Sequence, residues 1–178
     1  MSCQNIVLIG FMGSGKSSIG RLLAKKLGFQ FFDTDRVLIE RAGMEISEIF
    51  ARHGEAYFRD LESSTLASLT HLNRCIIATG GGVVLREANR RLLSRLGFVV
   101  GLSATEEVIF ERVSRNSKRP LLQTENPRQT LSRILTERHG LYEAAAQFTI
   151  DTSCLTHDQI AEAIIAEVRH AFQWQGAP

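Results

Sequence analysis

Residues 10–17 read Gly-Phe-Met-Gly-Ser-Gly-Lys-Ser and match the pattern Gly-x-x-x-x-Gly-Lys-Ser/Thr at every fixed position. The stretch follows an apolar run and opens a segment of helical period, which is the context that this pattern requires. Its glycines let backbone N–H groups converge on phosphate oxygens, and the following helix adds the positive end of its dipole. The sequence therefore predicts a loop that binds the phosphates of a nucleoside triphosphate, contacted by Gly13, Ser14, Gly15, Lys16 and Ser17.

Two side chains of this loop have predicted chemical roles. The ammonium group of Lys16 is placed to reach the β- and γ-phosphates, where it would act in catalysis. The hydroxyl of Ser17 is placed to bind Mg²⁺, because Mg²⁺ prefers oxygen ligands and is commonly shared with substrate phosphates.

Short apolar runs alternate with helical segments along the rest of the chain. Five runs are predicted strands, at residues 5–9, 29–33, 75–79, 98–102 and 148–151. Gly28 is predicted to end the first helix, and Ser103-x-x-Glu and Thr156-x-x-Gln are predicted capping boxes. Because short buried strands separated by helices form parallel sheets covered on both faces, we expect an α/β fold with three layers, α/β/α.

The composition is that of an ordinary globular protein, with 178 residues, 44% apolar and 22% charged, and the length fits a single domain, residues 1–178. A net charge of +2 is too small to indicate a nucleic acid or a membrane as partner, so we expect neither. No apolar run reaches about 18 residues and no signal peptide is recognisable, which predicts a cytoplasmic protein. The three cysteines show no C-x-x-C pair, and neither a zinc site nor a disulfide framework is expected.

A phosphate loop alone does not define the reaction. GTPase switches need an Asp-x-x-Gly turn and an Asn/Thr-Lys-x-Asp segment, and the sequence contains neither. Motor and transport ATPases usually carry an acid at the end of a neighbouring strand, but residues 75–79 run into Gly80 and residues 98–102 into Ser103. Of the reactions known for such loops, the sequence therefore favours transfer of the phosphoryl group to an acceptor.

Two carboxylates follow the second predicted strand, at Asp33 and Asp35. Because residues two apart in an extended chain face the same side, both would serve one cleft, one at the metal's water shell and one at the acceptor. The alternative is structural, with Asp35 as the N-cap of a helix over residues 36–41. The phosphate loop favours the functional interpretation.

Further features each have a structural alternative when taken singly. The glycines at 80–82 offer exposed N–H groups but also suit a tight turn, and Arg59 with Glu62 has the spacing of a surface ion pair on a helix. Residues 33–62 and 112–126 depart from the strand-helix rhythm, and binding groups often lie on such excursions. We expect both excursions to carry binding groups.

Together the motifs resemble the shikimate kinase family over residues 6–151. The resemblance rests on six motifs in the right order: the phosphate loop, Phe-Asp-Thr-Asp at 32–35, Phe-Arg-x-x-Glu at 58–62, Ala-Thr-Gly-Gly-Gly at 78–82, Arg-Pro-Leu-Leu at 119–122 and Arg-x-x-x-Tyr at 138–142. It implies the nucleoside monophosphate kinase fold, with five parallel strands in the order 2-3-1-4-5. It also implies that ATP, with Mg²⁺, phosphorylates the 3-hydroxyl of shikimate, and we expect a monomer.

The resemblance assigns roles at the nucleotide. Asp33 would hold Mg²⁺ through water, and Arg112 would lie against the adenine. Residues 33–62 would bind the substrate, and residues 112–126 would form a lid on which Arg119 closes over both substrates as a catalytic residue. Ser18 takes the place of the threonine that often ends the family's phosphate loop, and the hydroxyl is kept. The proline that some members place against the adenine after the last strand is replaced by residues 151–154, Asp-Thr-Ser-Cys.

It also assigns the acceptor site. Asp35 would contact the hydroxyl that is phosphorylated, while Arg59, Arg138 and the backbone of Gly81 and Gly82 would hold the carboxylate of shikimate. Planar arginine forks are the usual readers of carboxylates, which argues against a neutral acceptor. Gluconate or a nucleotide as acceptor, and a regulator that binds nucleotide without turnover, remain alternatives.

Overall fold

The computed structural model describes residues 4–114 and 125–173. The strands are β1 (Ile6–Gly10), β2 (Gln30–Asp33), β3 (Cys75–Ala78), β4 (Phe98–Ser103) and β5 (Phe148–Asp151). The helices are α1 (Lys16–Leu27), α2 (Thr34–Ala42), α3 (Ile46–Ser68), α4 (Glu87–Leu96), α5 (Glu106–Ser114), α6 (Pro127–Ala145) and α7 (His157–Ala171), with a 3₁₀ turn at Val83–Leu85. No helix of these residues combines the length and apolar character needed to span a membrane.

The strands form one parallel sheet in the order β2-β3-β1-β4-β5. The predicted fold class and strand order are therefore confirmed, and each predicted strand end lies within one residue of the observed one. Because all five strands run the same way, their carboxyl ends meet at one edge of the sheet. Loops that leave this edge are the ones that form ligand sites in open α/β sheets.

The central strand β1 is buried on both of its faces. Ile6 and Leu8 pack into the core shared with α1 and α7, whereas Val7 and Ile9 pack into the core that includes α4. All four side chains have no exposed surface, and burying each contributes about 1.5 to 3 kcal/mol. Alternation of faces along an extended chain explains how four consecutive apolar residues supply two cores.

Helix ends show where local sequence signals hold. Gly28 adopts a left-handed conformation at φ 64° and ends α1, and the capping box between Thr156 and Gln159 is present at the start of α7, as predicted. The capping box predicted at Ser103 is wrong. Ser103 is the last residue of β4 and pairs with Asp151 of β5, so the ladder extends past the expected helix start. The Thr105 hydroxyl accepts from the Val108 amide instead, at 3.5 Å.

The α2 and α3 helices lie within the predicted substrate excursion, residues 33–62, and pack on each other through Leu38, Ile49 and Phe58. α3 bends at Gly54, whose φ of 79° is outside the helical range. Most of the predicted lid, including Arg119, lies outside the described residues, so the lid and its arginine stay predictions.

Asn5 ties the start of β1 to three neighbouring segments. Its amide nitrogen donates to the carbonyls of Leu72 at 2.8 Å and Leu96 at 2.9 Å, and its amide oxygen accepts from the Cys75 amide at 3.0 Å. We expect Asn5→Ala to lower the free energy of unfolding by about 2 to 4 kcal/mol, because three hydrogen bonds are lost and two of them are buried. Urea unfolding measures this loss.

Asn73→Ala is the matched control for this prediction. The Asn73 side chain accepts one exposed hydrogen bond, from the Gln4 amide at 2.8 Å, so its loss should change the free energy of unfolding by less than about 1 kcal/mol. An equal loss of unfolding free energy in Asn5→Ala and Asn73→Ala would show that the hydrogen bonds of Asn5 stabilise the fold no more than the single exposed bond of Asn73.

Candidate active site

The loop between β1 and α1 is shaped for close approach of an anion. Gly13 and Gly15 have φ values of 82° and 97°, a left-handed region that side chains with a Cβ rarely adopt. The Ser14 amide donates to the Phe11 carbonyl at 3.2 Å, which tightens the turn before α1 begins at Lys16. The predicted phosphate loop thus leads directly into the positive end of a helix.

Lys16 spans the loop that precedes it. Its ammonium group donates to the carbonyls of Gly10 and Phe11, at 2.8 Å each. These bonds hold the cation over the loop, where the negative charge of a triphosphate would lie. Carbonyl partners are neutral, so an anionic phosphate can replace them with a charge-assisted bond.

Ser17 and Asp33 form a pair of hard oxygen ligands. The Ser17 hydroxyl donates to Asp33 Oδ2 at 2.8 Å, although 16 positions separate the two residues. A hydroxyl and a carboxylate at this distance suit Mg²⁺, which takes few protein ligands and keeps waters and phosphate oxygens. Among residues 4–114 and 125–173 no cluster of three or more His, Cys, Asp or Glu could hold a metal ion.

The two acids of the Phe-Asp-Thr-Asp motif line one cleft, but not through an extended chain. Asp33 ends β2 and is the N-cap of α2, accepting from the Asp35 amide at 3.1 Å. The alternative that Asp35 caps the helix is therefore wrong, because Asp33 occupies that position. Asp35 stands in the first turn of α2, and a helical turn brings it to the cleft.

A cleft of about 420 Å³ collects most of the predicted nucleotide and metal residues. Its lining includes Gly13, Ser14, Gly15, Lys16, Ser17, Ser18, Asp33, Asp35, Gly81 and Arg112. It also includes residues that sequence reasoning missed, namely Met12, Ile19, Thr79, Thr152, His157 and Ile160. Thr152 lies one residue past β5, so the rule that ligand sites lie beyond the carboxyl ends of strands would have indicated it.

Arg112 is fixed at the end of the cleft away from the acids by the residue that follows β5. Its Nη1 donates to the Thr152 hydroxyl at 3.0 Å and to the Gly13 carbonyl at 3.2 Å, and its Nη2 donates to the Thr152 carbonyl at 2.8 Å. The Thr152 hydroxyl lies 3.2 Å from the Ser14 carbonyl and 2.9 Å from that of Ser103, and its single proton serves one at a time. These three hydrogen bonds to the chain itself fix the plane of the guanidinium.

The turn after β3 lies between the acids and two buried arginines. A Cβ on Gly80 would lie 2.6 Å from Asp35 Oδ1 and 2.9 Å from Glu62 Oε1, so both carboxylates press on this turn. A Cβ on Gly82 would lie 2.0 Å from Nη1 of Arg59, so the guanidinium occupies the space that a side chain would need. A side chain at Gly80 or Gly82 would displace one of these charged groups, which the sequence could not show.

Arg138 reaches the same turn from α6, where its Nη1 donates to the Gly81 carbonyl at 3.3 Å. Both Arg59 and Arg138 are only 8% exposed. The structure therefore brings together all the predicted acceptor residues that it describes, around the Gly80–Gly82 turn.

Arg59 is paired with two acids on α3. Its Nη1 lies 2.8 Å from Glu62 Oε2 and its Nη2 lies 3.0 Å from Glu55 Oε1. Burial lowers the pKa of the Arg59 guanidinium, but the charges of Glu62 and Glu55 outweigh burial and the net pKa is raised. Glu62 is 3% exposed, and burial raises the pKa of its carboxyl despite the opposing charges of Arg59 and Arg138. Its second oxygen, Oε1, has no hydrogen-bond partner among the residues that the structure describes.

Fold and site together define a P-loop phosphotransferase of the nucleoside monophosphate kinase type. The sequence profile described as SKI: Shikimate kinase matches residues 12–169. The chain belongs to the shikimate kinase family, as the six motifs predicted.

Two shikimate kinases are similar in sequence to nearly the whole of this chain. A shikimate kinase of Thermodesulfovibrio yellowstonii is 52% identical over 164 residues, covering 92% of this chain and 94% of the relative. A shikimate kinase of Actinobacillus pleuropneumoniae is 47% identical over 162 residues, covering 91% and 94%.

Solved structures separate the family from its wider fold. Shikimate kinase from Acinetobacter baumannii in complex with shikimate superposes with a TM-score of 0.91 at 38% identity, covering 96% of this chain and 95% of that one. A gluconokinase from Sinorhizobium meliloti reaches a TM-score of 0.59 at 18% identity, covering 96% and 97%, which is a likeness of fold alone.

The raised pKa of Glu62 predicts a pH dependence of stability. The folded chain holds this proton more tightly than the unfolded chain, where the carboxyl titrates near its ordinary pKa of 4.5. The stabilisation from the neutral form is therefore lost as the pH rises from 4.5 through the raised pKa. We expect the free energy of unfolding of the wild type, relative to that of Glu62→Gln, to fall over this window.

Urea unfolding of both proteins at matched pH values measures the difference, in which the other titrating groups cancel. Glutamine has the shape of the neutral carboxyl and does not titrate. If the unfolding free energy of the wild type minus that of Glu62→Gln stayed constant or grew with pH, burial would not outweigh the arginine charges in setting the pKa of Glu62.

Proposed function

We propose that this chain transfers the γ-phosphoryl group of ATP to the 3-hydroxyl of shikimate, with Mg²⁺, giving shikimate 3-phosphate and ADP. The observation that carries the proposal is the position of Asp35 and Gly81. Both line the cleft that also contains Lys16 and Ser17, so the phosphate loop and the acceptor turn open onto one space. A phosphoryl donor and an acceptor held there would be close enough for direct transfer.

At the phosphate end the loop backbone, with Gly13, Ser14 and Gly15, would bind the polyphosphate. The Ser17 hydroxyl and Asp33 would hold Mg²⁺, Asp33 through water. Bound Mg²⁺ neutralises charge on the phosphate oxygens. Lys16 would leave the carbonyls of Gly10 and Phe11 and donate to phosphate oxygens, where its charge stabilises the transition state.

At the base end Arg112 would present a face of its guanidinium to the adenine. Its hydrogen bonds to the Gly13 carbonyl and to Thr152 support this role, because they fix the plane of the group. Ser18, which also lines the cleft, is proposed to bind the nucleotide as well.

At the acceptor end Asp35 would accept the proton of the attacking hydroxyl. The carboxylate of shikimate would lie between Arg59 and Arg138, over the amides of Gly81 and Gly82. Arg59 keeps its bond to buried Glu62, whereas Glu55 is 63% exposed and is readily displaced by the incoming carboxylate. Arg119, which is not among the described residues, is proposed to neutralise charge on the transferred phosphoryl group.

The function is tested by ADP release from the purified protein with ATP and Mg²⁺. We expect release that depends on shikimate and is at least about 10²-fold slower, in kcat/KM, with gluconate, which cannot satisfy the same buried polar groups. ADP release with gluconate at an equal kcat/KM would contradict shikimate as the preferred acceptor and would favour the gluconate alternative. ATP binding without phosphoryl transfer to shikimate, gluconate or a nucleotide would indicate the regulator.

Asp35→Asn tests the proton acceptor. We expect kcat to fall about 10²-fold to 10⁴-fold, because the amide cannot take the hydroxyl proton, while the KM for ATP changes little. Asp60→Asn serves as the control, since Asp60 is an exposed acid paired with Arg86 and should leave kcat unaltered. An unchanged kcat in Asp35→Asn would remove Asp35 from the chemistry.

A further inference from the structure

The carbonyl oxygen of Gly81 accepts hydrogen bonds from two side chains of α6. One donor is the phenol of Tyr142, and the other is Nη1 of Arg138 at 3.3 Å. Because Tyr142 follows Arg138 by four positions, both lie on one face of the helix. The Tyr142 bond is the shorter of the two, so the phenol is the stronger anchor of this carbonyl.

The direction of the Gly81 carbonyl sets the direction of the next amide. In a trans peptide the C=O of one residue and the N–H of the next point to opposite sides, and the described peptide bonds are trans. Holding the Gly81 carbonyl against α6 therefore directs the Gly82 N–H away from that helix. Gly82 is one of the residues proposed to bind the acceptor carboxylate.

Arg138 has two uses that compete. In the structure its Nη1 donates to Gly81 at a long distance, which indicates a weak bond. In forming a bidentate pair with a carboxylate, we expect the guanidinium to turn its fork toward the acceptor and give up this long bond. The Gly81 carbonyl is half-buried, and leaving it without a donor is unfavourable, so a second donor is useful when Arg138 turns.

We propose that Tyr142 is a positioning residue for the acceptor, whose hydroxyl keeps the Gly81 carbonyl bonded while Arg138 passes from that carbonyl to the acceptor carboxylate. This inference rests on the proposed shikimate kinase function. Tyr142 does not touch the reacting atoms, and it acts through the Gly80–Gly82 turn and through Arg138.

The state of the phenol suits this role. Burial raises the pKa of Tyr142 to about 12, with Arg138 opposing the rise, so the hydroxyl remains a protonated donor at neutral pH. Its ring packs against two of the apolar clusters, and phenylalanine preserves that packing. Tyr142→Phe therefore removes one hydroxyl and leaves the ring in place.

We expect Tyr142→Phe to raise the KM for shikimate about 3-fold to 12-fold, the range for losing one hydrogen bond to the half-buried Gly81 carbonyl when Arg138 turns. The KM for ATP should stay within about twofold, because no nucleotide contact changes. The chain's other tyrosine provides the control, since Tyr57 is 46% exposed and Tyr57→Phe should change neither KM. An unchanged KM for shikimate in Tyr142→Phe overturns the proposal, as does an equal rise in both KM values, which would indicate general loosening.

A double-mutant cycle with Arg138→Ala isolates the exchange. Without the Arg138 guanidinium there is no donor to move and only the effect on the turn is left, so Tyr142→Phe in that background should raise the KM for shikimate by a smaller factor than in the wild type. Equal fold-changes in both backgrounds would mean that the two residues act independently, which also overturns the proposal. If the wild type releases no ADP in response to shikimate, it is the proposed function that fails.

Discussion

Burial of β1 on both faces of the sheet is the constraint on which the site depends. The strand pairs with β3 on one side and β4 on the other, and Leu8 is in register with both Ala78 and Val100. A slip of one residue would exchange the two apolar faces, so the register is strongly specified. The phosphate loop that leaves β1 is thereby held at the same edge as the acids after β2 and the glycines after β3.

Charge at the acceptor end is kept buried although burial disfavours it. Arg59, Arg138 and Glu62 are each at most 8% exposed. Removing such charges from water is unfavourable unless they are paired, and the pairing between Arg59 and Glu62 leaves one guanidinium edge for an exposed acid or a ligand. A site with this arrangement suits a carboxylate in both geometry and charge, which a neutral alcohol cannot match.

Local signals predicted much of the fold, and the errors have physical causes. The strands are recognisable in the sequence because strands of a parallel sheet are covered on both faces and are therefore continuous apolar runs. The prediction of a capping box at Ser103 was wrong because Ser103 pairs with Asp151 and so belongs to β4. Asp33 and Asp35 were expected in one cleft on the premise of an extended chain, whereas a helix begins between them. Thr152 carried no motif, and its contact with Arg112 joins positions 40 apart.

The phosphate loop was determined by the sequence alone, because its glycines, its lysine and its serine are contiguous and their geometry is local. The acceptor turn was decided only by the tertiary structure. Its parts come from α3, from the segment after β3 and from α6, and the bond from Arg138 to Gly81 spans 57 positions. A side chain at position 82 would displace the Arg59 guanidinium of α3, and such a packing constraint exists only once the chain is folded.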